Sequence, residues 1–108
     1  MTAPFTAQLR SRPGVLRLGT ENEPVITVRV QVLEVWDTLR VEAPADTPVV
    51  VLKSRALEVL MPDAANYDEF VTKIGGWEVL DERTSLSDVG ATDGSIFLIT
   101  SRRRRPVR

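Results

Sequence analysis

Carboxylates are the side chains in this sequence whose grouping suits acid–base work. Asp68-Glu69, Glu78 and Asp81-Glu82 lie close together in the chain. Paired carboxyl groups can divide into an acid and a base when their surroundings push their pKa values apart. They also need a group that stabilises developing charge, and none adjoins them. The chain contains no Cys and no His. That removes thiol nucleophiles, His-based triads, disulfides and Cys/His zinc sites. A metal would have to be held by carboxylates alone, which suits Mg²⁺ or Ca²⁺, yet no EF-hand spacing or phosphate-binding glycine loop is present. The expectation is a protein that is not an enzyme and has no cofactor and no metal, its carboxylates forming a solvated acidic edge.

Two other groups of residues carry recognition chemistry. Five of the 14 basic residues, Arg102, Arg103, Arg104, Arg105 and Arg108, fall in the last seven positions. Residues 1–101 keep 9 basic against 15 acidic groups, a balance of −6, so an acidic body is joined to a basic end. Arginine pairs bidentately with carboxylates and phosphates. The end is therefore a solvated segment, a tether for an acidic protein, or a contact for nucleic acid or anionic lipid. The second group is Leu33, Val35 and Trp36, three large apolar residues in one short link, with Trp77 further on. Each tryptophan either packs on its own sheet or anchors a partner, as aromatic hot spots do.

The elements that position these groups follow from periodicity. Ile26-Thr27-Val28-Arg29-Val30-Gln31-Val32 alternates strictly, with β-branched residues on one face, and predicts a half-buried strand. Leu39, Val41 and Ala43 continue the pattern in a second strand, too near for a crossover helix, so the two form an antiparallel hairpin. Its tip, Leu33 to Asp37, contains no glycine. Pro44 to Pro48 opens a helix, with Thr47 expected at the N-cap and Pro48 at the first helical position. Val49, Leu52, Ala56 and Leu60 make its apolar face, with Lys53, Ser54, Arg55 and Glu58 opposite, and Pro62 stops it. A third strand is expected from about Glu69 through Ile74, a tight turn at Gly75-Gly76, and a short fourth strand from Trp77 to Leu80. Thr84 and Ser85 can cap a single turn, Asp88 can hold the loop backbone, and Asp93-Gly94 turns into the apolar run Ile96 to Ile99. Met1 to Pro24 is broken by Pro4, Pro13 and Pro24. Residues 1–23 are read as a flexible arm or, through Val15 to Leu18, an added edge strand. Residues 24–102 are read as one domain and 103–108 as the basic tail. A hydrophobic fraction of 43% beside 27% charged residues is that of a soluble globular domain. With no apolar run of membrane-spanning length and no secretory signal, a cytoplasmic location is the default.

The stretch Thr84 to Thr100, TSLSDVGATDGSIFLIT, resembles the last quarter of ubiquitin-like proteins, and the similarity extends in order over Pro24 to Arg102. The resemblance implies an α+β ubiquitin-like β-grasp fold, a mixed sheet of four or five strands wrapped around one helix, with the first and last strands parallel at its centre. Conjugating members of that family end in Gly-Gly, whereas Arg and Pro stand at the matching places here, so a non-conjugated protein is implied. By analogy with ubiquitin's binding surface, Leu33, Val35 and Trp36 at the hairpin tip, Lys73 on the third strand and the nearby Trp77 are the expected protein-binding residues. Ile74 takes the place of Lys73 if the alignment slips by one residue. The function implied is that of a non-catalytic interaction module on a larger assembly. Bacterial relatives of this kind accompany type VII secretion systems or multicomponent enzymes. The alternative is a nucleic-acid-associated accessory protein acting through the arginine tail. Oligomeric state and the partner's identity do not follow from the residues.

Overall fold

A computed structural model describes residues 15–19 and 23–102. The arm over residues 1–14 and the tail Arg103 to Arg108 lie outside the described residues. The chain forms β1 (Val15–Arg17), β2 (Ile26–Val32), β3 (Asp37–Ala43), helix α1 (Val49–Leu60), a 3-10 turn (Tyr67–Glu69), β4 (Phe70–Ile74), β5 (Trp77–Glu78) and β6 (Ile96–Ser101). These strands make one mixed sheet in the order β1-β3-β2-β6-β4-β5.

The alternation in β2 sets the architecture. Val28, Val30 and Val32 are fully buried on one face, and Leu39, Val41 and Ala43 of the antiparallel β3 extend that face. Phe97 and Ile99 of β6 lie beside Val30 and Val32 in a parallel register. A parallel pair must be covered, and α1 covers it with Val49, Leu52, Ala56 and Leu57. Leu86, from the long link between β5 and β6, completes the core. The apolar stripe of α1 is wider than a single row, because a 3.6-residue period brings both 52/53 and 56/57 inward.

Details differ from the sequence reading, and the short strand expected from Trp77 to Leu80 spans only Trp77–Glu78. The sheet has six strands rather than four or five, because Val15–Arg17 pairs in parallel with Arg40–Glu42 and buries Leu16 and Leu18 at its margin. Pro48, not Thr47, occupies the N-cap, and no side chain caps the helix. The link after β5 caps it instead, with Val49 N–H donating to Thr84 O at 2.9 Å and Val50 N–H to Glu82 O at 2.8 Å. Thr47 is held by its own backbone, its carbonyl accepting from Leu86 N–H at 2.9 Å. Within that link, Ser85 Oγ accepts from Asp88 N–H, the loop-holding role expected of the Asp88 carboxylate.

A further difference is Lys53. The helical period assigns it to the wet side, yet it is only 3% exposed. Its ammonium donates to Phe70 O at 3.1 Å and pairs with Glu82 Oε1 at 2.6 Å. A buried charge is tolerable only when paired and hydrogen-bonded. Both partners arrive from distant segments, so the pair ties α1, β4 and the link together.

Candidate interaction surface

The carboxylates read as an acidic edge are largely absorbed by structure. Glu82 pairs with Lys53. Asp81 accepts from Arg83 Nε at 3.0 Å and Nη2 at 3.1 Å, and these bonds, with that from Arg83 N–H, hold its carboxyl below the usual range. Glu69 accepts from Asn66 Nδ2, and Glu78 pairs with Arg102 at 3.4 Å. These contacts give Glu69, Glu78, Asp81 and Glu82 packing and surface roles. Among the described residues no group of three or more acidic side chains is placed to hold a metal ion. Nor is any helix among them long and apolar enough to cross a membrane.

The hairpin tip is built differently. Leu33 N–H donates to Ile99 O at 3.0 Å, which continues the β2–β6 pairing into the tip. Glu34 folds across the end of β6, its Oε2 accepting from Ser101 N–H at 2.7 Å and Thr100 Oγ1 at 3.2 Å. Val35 N–H closes on Val32 O and Trp36 N–H on Leu33 O, each at 3.3 Å. With its first two residues tied down, the tip leaves Val35 41% exposed and Trp36 78% exposed. Trp36 has φ +52°, and no other described non-glycine residue has a positive φ. A left-handed backbone costs an L-residue free energy that glycine avoids. The indole thus stands in solvent at a position where its backbone is also strained.

Strand alternation sorts the remaining expected residues. On β4, Phe70 and Thr72 face the core, while Val71 and Lys73 face away from the helix. Lys73 lies between Leu98 of β6 and Glu78 of β5 on that outer face. Trp77 pairs with Ile74 and so has the opposite parity; it projects 78% exposed from the sheet margin. Val35 and Trp36 are therefore adjacent at the tip, Lys73 sits on the outer face of the sheet, and Trp77 is on the other side of the margin. Gly75 and Gly76, both with positive φ, make the tight turn between β4 and β5. Just past β6, Arg102 N–H donates to Glu69 O at 2.6 Å.

Several exposed apolar residues escaped the sequence reading: Ile96, at 50%, Leu80, and Val50, Val51 and Val59 on the helix. The run Ile96 to Ile99 is apolar throughout and hides its alternation, but the period of two in a strand turns Ile96 and Leu98 to the outer face.

No family model and no curated protein matches this chain. Solved structures do. The ubiquitin-like domain of an Arabidopsis thaliana protein aligns with a TM-score of 0.64 at 18% identity, covering 83% of this chain and 90% of that domain. Caldiarchaeum subterraneum ubiquitin aligns at 0.61 and 14% identity, covering 77% of this chain and 96% of that one. The UBL domain of Plasmodium falciparum Dsk2 aligns at 0.60 and 22% identity, covering 71% and 97%. The fold is ubiquitin-like: an α+β β-grasp in which one helix lies across a mixed sheet.

Proposed function

We propose that this β-grasp domain is a non-catalytic protein-interaction module that docks on a larger assembly without being conjugated to it. The observation that carries the reading is Trp36, an exposed indole held at positive φ on a tip otherwise pinned to β6. Backbone strain persists where the surrounding structure over-determines it, and such positions cluster at binding sites. A tryptophan offers a large apolar surface with only two side-chain torsions to freeze on docking, which suits a hot spot. Val35, next to it in the chain, and the part-buried Leu33 widen the apolar contact. Lys73, on the outer face of the sheet, contributes at its rim, whereas Trp77 projects from the other side of the margin and lies outside that contact. Arg102 to Arg105 and Pro106 stand in the sequence where conjugating relatives carry Gly-Gly, which supports docking rather than conjugation.

Co-purification of the full chain and of Trp36→Ala at low and at high salt tests the proposal. A protein partner retained by the wild type at high salt and lost by Trp36→Ala, whose melting temperature falls by no more than about 5 °C, is the expected outcome. Apolar docking survives screening, because the Debye length of ~3 Å at 1 M salt suppresses only charge contacts. RNA or DNA recovered at low salt and released at high salt, with no Trp36 dependence, would support the arginine tail as the functional element instead.

A further inference from the structure

We propose a second contact surface on the outer face of the sheet, centred on Arg29 and Arg40, that takes a carboxylate-bearing protein segment with apolar side chains between its acids. This deepens the interaction-module reading by naming the partner's chemistry at a place distinct from the hairpin tip.

The register puts Arg29 of β2 directly opposite Arg40 of β3, on the face turned away from the helix. Both are exposed. Like charges directly opposite on neighbouring strands oppose folding. No carboxylate among the described residues relieves the pair: the acids of the same face are engaged elsewhere, Glu42 with Arg17 at 3.2 Å, Glu78 with Arg102, and Glu34 with the end of β6. The row continues into apolar residues on both sides, Ile96 beside Arg29 and Val15 beside Arg40. In the next row Leu98 and Lys73 repeat the same pairing of an apolar residue with a cation.

Two adjacent guanidinium groups present parallel N–H forks that match carboxylates bidentately. Ile96, half exposed, and Leu98 offer apolar surface at the two-residue spacing of a strand. A segment alternating acidic and apolar side chains complements both features. A nucleic acid fits less well. The body as a whole is acidic, with 15 acidic against 9 basic groups over residues 1–101, and this repels a long polyanion at a distance.

The test is an amide-shift titration of the full chain with a short synthetic peptide alternating glutamate and leucine. Its glutamine counterpart and a single-stranded oligothymidylate serve as comparisons. The expected footprint covers Arg29, Arg40, Ile96 and Leu98, with affinity lowered roughly tenfold or more in Arg29→Glu and in the glutamine peptide. Arg29→Glu also places an acid opposite Arg40, and its melting temperature should rise by about 3–6 °C, so the loss of binding cannot come from unfolding. Trp36→Ala should leave this peptide's affinity unchanged, which separates the surface from the hairpin-tip site. Several outcomes overturn the proposal: no saturable shift at millimolar peptide, equal binding of the glutamate and glutamine peptides, a footprint on the tip or tail, or tighter binding of the oligonucleotide to the same residues.

Discussion

Replacing Trp36 by glycine should leave the isolated domain as stable as the wild type or slightly more so, while replacing it by alanine should not. Three terms set the magnitude. The positive φ costs an L-residue ~1–2 kcal/mol, which glycine recovers and alanine does not. Glycine adds ~0.4–1 kcal/mol of unfolded-state entropy against folding. Trp36 is 78% exposed, so removing the indole forfeits only about a fifth of the ~3 kcal/mol that full burial of a large apolar side chain provides. Trp36→Gly should therefore fall within about 1 kcal/mol of the wild type, and above Trp36→Ala by about 1 kcal/mol. Urea titrations of the three proteins, with equal m-values, measure this difference. Both variants should lose the partner. A loss of ~3 kcal/mol or more in both would show a buried indole and refute the reasoning. Equal stability of the glycine and alanine variants would refute the backbone strain.

Lys53→Met should lower stability by about 2–3 kcal/mol, toward the low end for a broken buried pair because Glu82, at the rim, regains some water; a chemical-denaturation loss under ~1 kcal/mol would make the Lys53–Glu82 bond incidental. Thr72 lies fully buried in β4 with a hydroxyl that finds no hydrogen-bond partner among the described residues. Thr72→Val should raise stability by ~1 kcal/mol by removing that unmade bond, and a comparable loss would reveal a partner for the hydroxyl.

The elements built on local pattern are legible in the sequence. The alternation from Ile26 to Val32 defines β2 and its buried face, and the parallel placement of β6 follows from the resemblance and the apolar run. What escapes depends on segments far apart in the chain. Lys53 carries a long apolar stem with a charged end, and periodicity cannot place its ammonium without knowing that Phe70 O and Glu82 will meet it. The helix N-cap departs from expectation for the same reason: Thr84 and Glu82 supply carbonyls that make a Thr47 side-chain cap unnecessary.

The candidate site divides along the same line. An apolar hairpin tip is visible in Leu33, Val35 and Trp36, but the strained backbone of Trp36 follows from a tip that has no glycine to take the positive φ. Neither the opposite parity of Trp77 nor the facing of Arg29 and Arg40 is visible, since both require the strand register. Register is fixed by turn geometry as much as by pattern.

The chain has two tryptophans, so Trp77→Phe leaves Trp36 as its sole indole emitter. Fluorescence of that variant, titrated with the partner retained at high salt, tests docking through the hairpin tip most directly. On binding, the emission should move to shorter wavelength and become protected from iodide quenching as the indole leaves water. Saturating binding with unchanged emission and unchanged quenching would contradict it.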